Sequence, residues 1–174
     1  MRLRFPESQI AAIAARYSYS RGETALLDLR PFVHRQGYIT KDQLRLLTMW
    51  KSPRSAGRIE KNADSFVREI TSFALAASDE RARIEPLILL DGVMWPTASV
   101  ILHLFHQEHY PILDFRALWS VSTEVHSPCD FHFWDSYVQF TRRVAAVAET
   151  DMRTLDRALW QYSKEHQPPL GVAR

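Results

Sequence analysis

The chain holds one cysteine, Cys129, among 174 residues. A single thiol closes no internal disulfide and supports neither a multi-cysteine zinc site nor an iron–sulfur cluster. A reducing, cytoplasmic setting is the expectation. Long apolar runs are also missing. No stretch approaches the roughly 20 apolar residues of a membrane span, and MRLRFPESQ at the start has no apolar segment like that of a secretory signal, so no membrane partner is expected. Charge of one sign is lacking too: 22 Lys and Arg face 20 Asp and Glu, a net +2, too little to argue for nucleic acid on charge alone. Glycine is scarce at five residues, and no repeat, low-complexity run or linker interrupts the chain.

Apolar residues recur at three- and four-residue steps almost throughout, which predicts an all-α fold. The expectation is a compact bundle of about eight to ten helices, formed by residues 1–174 as one domain or as two small lobes sharing a core. Ser8 to Arg16 presents Ile10, Ile13 and Ala14 on one face. A helix over Gly22 to Leu29 meets Pro31, which stops or restarts it. Thr40 with Gln43 forms a capping-box pattern for a helix to Trp50, with Leu44, Leu47 and either Leu46 or Trp50 inwards; Ser52-Pro53 ends it. Asn62 or Asp64 caps the next, with a stripe of Phe66, Val67, Ile70, Phe73 and Ala74. Ser78 caps a short helix to Ile84. Asp130 precedes a long helix burying Trp134, Tyr137 or Val138, Phe140 or Val144, and Val147. The last helix begins at Met152 and buries Leu155, Leu159 and Trp160. Ser122 to Cys129 reads as a loop and residues 167–174 as a mobile tail.

The charge that exists is uneven. Lys41, Arg45, Lys51, Arg54, Arg58 and Lys61 are opposed locally only by Asp42 and Glu60. From Glu108 to Asp135 the acids Glu108, Asp114, Glu124, Asp130 and Asp135 outnumber Arg116.

The chemistry concentrates between Leu90 and Trp119. Pro86 to Leu90 suits a short helix. Gly92 stands where a helix end takes a left-handed residue, and Pro96 opens the first turn of another helix running to about Gln107. Helix, glycine turn and helix make a hairpin whose exposed backbone N–H groups and positive helix end can cradle a phosphate. That grip needs few lysines. His109 to Leu113 then reads as extended, and Asp114 caps a helix over Phe115 to Val121. Taken alone, a hairpin of this kind is more often a packing corner.

The stretch 86–121 resembles the helix-hairpin-helix DNA glycosylases, the superfamily of endonuclease III and the mismatch adenine glycosylase. Leu90, Gly92, Val93, Thr97 and Ala98 match its hairpin, L-P-G-V-G-x-K-T-A. Asp114, 18 residues beyond Pro96, stands where that family keeps its catalytic carboxylate, and Tyr110-Pro111-Ile112-Leu113 is similar to the approach in the adenine glycosylases. The resemblance implies double-stranded DNA as partner, with Gly92, Val93, Met94 and Thr97 at its backbone. It implies that Asp114 stabilises positive charge on the sugar as an N-glycosidic bond to a modified base breaks, or orients the attacking water. Two departures stand out. Pro96 replaces the lysine with which bifunctional members attack the sugar, so a monofunctional enzyme without abasic-site lyase activity is expected. Met94 replaces the second glycine and would be strained if that position needs positive φ. The acid that acts on the base in adenine glycosylases belongs to an early helix, where no counterpart is evident. No cofactor or metal is expected.

Trp50, Lys51 and Arg54, an aromatic beside two cations, can clamp a flipped base or its flanking phosphates. The simpler reading makes Trp50 core and the two cations solvated, and a Schiff-base amine supplied by Lys51 is the least favoured role. Arg116 can reach a phosphate or pair with Asp114. His103, His106 and His109, with His126 and His132 later, show no metal-ligand spacing. Tyr17, Tyr19 and Trp119 read as core, and Cys129 has no catalytic partner. Two other functions fit the sequence: a catalytically inactive DNA-binding protein on the same fold, and a helical protein–protein adaptor in which the hairpin is architectural. The enzyme requires Asp114 at the mouth of a pocket, on the side of Gly92 and Lys51.

Overall fold

A computed structural model describes residues 1–124 and 129–168. The part of the expected loop at 125–128, with His126, and the tail from 169 lie outside the described residues. The protein is all-helical, with ten α-helices and no strand among the described residues. They are α1 (Ile10–Ala14), α2 (Arg21–Asp28), α3 (Arg30–Gln36), α4 (Lys41–Lys51), α5 (Asp64–Ala76), α6 (Glu80–Ile84), α7 (Trp95–Phe105), α8 (Phe115–Ser120), α9 (Phe131–Val147) and α10 (Met152–His166). Three 3-10 segments, Glu7–Gln9, Pro53–Lys61 and Glu85–Leu89, join them. None of these helices is long and apolar enough to cross a membrane.

Local chemistry sets most boundaries. The Thr40 hydroxyl accepts from Gln43 N while Gln43 Oε1 accepts from Thr40 N, closing the capping box of α4. Pro31 opens α3 within its first turn, so the chain restarts rather than stops there. Gly37 and Gly92 take positive φ. Asp114, Asp130 and Asp151 cap α8, α9 and α10 through side-chain oxygens.

Other expectations are corrected. Ala63, not Asn62 or Asp64, precedes α5. Both expected caps are engaged elsewhere: Asn62 clamps the backbone of Asp91, and Asp64 Oδ1 accepts from Lys41 N. Asp79 rather than Ser78 caps α6. Leu46, Phe66, Phe73 and Val147 face solvent. On α5 the buried arc is narrower than the apolar stripe and consists of Val67, Thr71 and Ala74. The first arm of the central hairpin is a 3-10 segment rather than an α-helix.

Helix α7 is the central element. Nine of its eleven residues are buried, as expected for a helix apolar on every side. It supports the extended run 109–113, whose buried part, 110–113, must find partners for its polar backbone groups away from water. Side chains of α7, α9 and α10 supply them. His103 Nδ1 meets Tyr110 O at 2.5 Å, and Ser99 Oγ accepts from Leu113 N at 2.8 Å. Asp156 Oδ1 accepts from Ile112 N at 2.9 Å, and the Tyr137 hydroxyl donates to Ile112 O at 3.3 Å. The run is therefore tied off on both sides before it delivers Asp114.

Helix α10 closes the structure by packing on α1 and α8. At its end Arg16 grips Glu165, with Nε–Oε1 at 2.9 Å and Nη2–Oε2 at 2.7 Å.

Ser99→Ala should leave the buried Leu113 N–H without a partner and cost about 1–3 kcal/mol, measured by urea unfolding. The Arg16 hydrogen bond holds the Glu165 carboxyl down to about 2, against an ordinary 4.5. Because this pKa is depressed in the folded state, the stabilisation is complete above the ordinary value and disappears as pH falls towards about 2. Glu165→Gln should accordingly lower the urea midpoint at neutral pH, with the gap to wild type narrowing steadily as pH falls below the ordinary carboxylate range.

Candidate functional site

Asp114 opens onto a pocket of about 290 Å³. The walls are Tyr17, Ser18 and Ser20 before α2, Glu23 on α2, Trp50 and Lys51 on α4, Ile112 and Asp114 at the end of the extended run, Ala117 on α8, and Arg153, Asp156 and Trp160 on α10. Residues distant in sequence converge because α2, α4, α8 and α10 surround the point where the run ends.

The two oxygens of Asp114 are used differently. Oδ1 accepts from Arg116 N at 2.9 Å and caps α8. Oδ2 lies 2.7 Å from Lys51 Nζ. The carboxylate thus stands in an ion pair, but one that borders a cavity rather than being sealed in the core. Its partner is Lys51 and not Arg116, whose guanidinium lies over the rings of Phe115 and Trp160 at 5.1 and 5.5 Å. Trp50 is half-buried and forms a wall; its Nε1 donates to Ser20 Oγ at 3.2 Å. Gly22 permits this approach, since a Cβ there would stand 3.3 Å from Trp50 Cδ1.

A second carboxylate shares the cavity. Glu23 is 1% exposed. Its Oε2 accepts from the Tyr17 hydroxyl at 2.7 Å, and its Oε1 pairs with Arg153. Burial raises the Tyr17 phenol to about 12 against the opposing charge of Arg153, so it remains an O–H donor at neutral pH. Arg153 also reaches Asp156 Oδ2 at 3.4 Å and His103 Nε2 at 3.3 Å. Three carboxylates, Glu23, Asp114 and Asp156, therefore meet two cations, Lys51 and Arg153, around one cavity. The balance favours a ligand that gains positive charge.

Sequence reasoning missed Glu23 for a definable reason. Ser20-Arg21-Gly22-Glu23 has the form of a capping box, and Ser20 Oγ does accept from Glu23 N at 3.2 Å. The glutamate side chain does not return to Ser20, however; it turns into the pocket. Tyr17 was expected in the core and instead lines the cavity, as does Trp160, while Tyr19 is exposed.

The hairpin turn lies against the basic 3-10 segment. A Cβ on Gly92 would stand 2.9 Å from Ser55 O and Ile59 Cδ1 and 3.2 Å from Arg58 Cβ. Arg54, Arg58 and Lys61 on that segment are exposed. Ser52 Oγ meets Thr97 Oγ1 at 3.3 Å, fastening the end of α4 to the first turn of α7. Val93 and Thr97 are buried, and their N–H groups already donate to Leu90 O at 3.0 Å and to Met94 O at 2.8 Å. Met94 is exposed with φ −121, an extended conformation any residue adopts, so the strain anticipated there is absent. Arg54 does not line the pocket.

The remaining candidates have structural roles. His103 ties Tyr110 to Arg153, and His106 accepts from Glu108 N at 2.9 Å. Burial and then Arg83 lower the His106 pKa, which keeps it neutral. No group of three or more His, Cys, Asp or Glu is placed to hold a metal among the described residues. Burial pushes the Cys129 thiol up to about 11, which removes it as a nucleophile at neutral pH.

Gly92→Ala should cost more than Gly37→Ala. Both glycines have positive φ, and a left-handed alanine costs about 1–2 kcal/mol. Only Gly92 has neighbours within 4 Å, whereas Gly37 has none. Urea unfolding of the two variants reads the difference directly. No family model, curated protein or solved structure matches the chain, so the case for function rests on the pocket and the surface beside it.

Proposed function

We propose that the protein is a DNA glycosylase-like hydrolase that receives a modified base flipped from a duplex and cleaves its N-glycosidic bond. The observation that carries this reading is the convergence of Asp114 and Glu23 on one aromatic-walled cavity, next to a glycine turn and a basic segment. Each part has a physical task. A cavity near the lower end of the roughly 300–1,000 Å³ typical of small-molecule sites suits one planar group. Tyr17, Trp50 and Trp160 give the cavity an aromatic wall suited to a base. Asp114, its Oδ1 fixed by the helix cap, presents Oδ2 to positive charge developing on the sugar and to an incoming water. Glu23 is the counterpart, unseen in the sequence, of an early-helix acid facing the base. The Gly92 turn and the exposed Arg54, Arg58 and Lys61 supply phosphate contacts.

An inactive binding protein would need no carboxylates around a cavity, and an adaptor would need no cavity at all. The test is incubation with duplexes carrying a panel of modified bases, followed by detection of abasic sites. Release of at least one base is expected, with the single-turnover rate falling about 100-fold or more in Asp114→Asn. Equal release by the variant would remove Asp114 from the reaction. Salt-sensitive duplex binding without release of any base would leave the binding-only reading.

A further inference from the structure

A second cavity, of about 110 Å³, lies beside the first, and Arg153 lines both. It is bounded by Leu27 on α2, Arg30 at the start of α3, His103 near the end of α7, His109, and the start of α10. We propose that it is a site for a small free oxyanion such as inorganic phosphate, and that the bound anion regulates the candidate site by drawing Arg153 away from Glu23. The regulatory half rests on the reading of that site as catalytic; the binding half does not.

Charge, size and position select the ligand. Arg30 is half-buried in this wall and has no hydrogen bond or ion pair among the described residues. Arg153 brings a second guanidinium to the same space. An anion between the two would relieve their repulsion and accept charge-assisted bonds from both. The exposed ring of His109 adds a further N–H donor. Asp151 is the one carboxylate among the described lining residues, and it is committed elsewhere: Oδ1 accepts from Thr154 N at 2.8 Å and Oδ2 from the Thr154 hydroxyl at 2.7 Å. The volume is well below the roughly 300–1,000 Å³ of sites that take a whole small molecule, so it suits one compact anion and not a nucleotide. The place excludes a phosphate of the duplex held at the glycine turn. His103 lies about 12 Å along α7 from Trp95, at the end of the helix away from that turn.

Arg153 can answer to both cavities because its bonds are uneven. Nη2 pairs with Glu23. Nη1 makes only long contacts, 3.4 Å to Asp156 Oδ2 and 3.3 Å to His103 Nε2, and Nε is buried with no partner. The guanidinium therefore keeps unused donors. His103, anchored through Nδ1 to Tyr110 O, holds it at the partition. An anion on one side and Glu23 on the other compete for this one cation. Glu23 is almost fully buried, where a change in the field of its partner is little screened.

The experiment needs no DNA. Isothermal titration calorimetry of the full chain with inorganic phosphate, at constant ionic strength, should show saturable binding of one anion. Arg30 has no partner to lose, so Arg30→Gln should fold as wild type, yet bind phosphate about tenfold or more weakly. Arg58→Gln, on the exposed basic segment, should leave the affinity unchanged. The Glu23 carboxyl carbon, followed by ¹³C NMR, should shift with the same midpoint as the heat. Absence of saturable binding, or binding kept in Arg30→Gln and lost in Arg58→Gln, overturns the site. A Glu23 signal that stays still while phosphate saturates overturns the regulation. Competitive displacement of phosphate by a duplex would make the cavity a DNA contact and overturn the free-anion assignment. If phosphate binds and moves Glu23 while no duplex ever loses a base, the glycosylase reading fails and the anion site stands. If bases are released and phosphate never binds, the anion site fails and the glycosylase reading stands.

Discussion

The structure depends on keeping an extended stretch of backbone dry. Residues 110–113 run through the core, where every unpaired N–H or C=O costs free energy. The cost is avoided because α7, α9 and α10 each turn a polar side chain inwards at the height of one backbone group: Ser99 and His103, Tyr137, and Asp156. These contacts fix the direction of the run, and the direction of the run fixes Asp114. A sequence that filled the same positions with apolar residues would bury more apolar surface and lose the extended run they hold.

From this constraint the pocket follows. Asp156 serves twice, accepting from Ile112 N and meeting Arg153, and Arg153 in turn holds Glu23. His103 likewise touches both Tyr110 and Arg153. The network that satisfies the run is therefore continuous with the network that charges the cavity. Buried ionic groups of this kind add little net stability against an apolar replacement, but removing one partner is costly. Their value here is positional: they hold carboxylates in place around a space a ligand can enter.

The two faces of the candidate site are built by different means. The cavity relies on side chains from α2, α4, α8 and α10. The surface beside it relies on backbone: the left-handed Gly92, the close approach of the 3-10 segment, and the start of α7, which no side chain caps. Contact between the two is short, through Ser52 and Thr97. A base held in the first and a phosphate held by the second would be fixed relative to each other by α4 and α7.

The sequence by itself determined the helices and their punctuation. Thr40 with Gln43, Pro31, Gly92, Pro96, Asp114 and Asp151 act through bonds within a few residues of themselves, so their effects can be read locally. Periodicity also found Leu44 and Leu47 on α4 and Leu155 and Leu159 on α10, but not the edges of the buried arcs: Leu46, Phe73 and Val147 are apolar and exposed. Where a polar residue had two uses, only the tertiary structure decided. Asn62 and Asp64 leave the cap of their own helix for partners about twenty to thirty residues away. Glu23 looks like a capping-box residue and becomes a buried pocket acid, because Tyr17 and Arg153 are better partners in a dry site than one N–H at a solvated helix end. Lys51 and Asp114, 63 residues apart, carry no mark of each other in the sequence. Their meeting depends on how α4 and the run from α7 pack, and packing is a property of the whole chain.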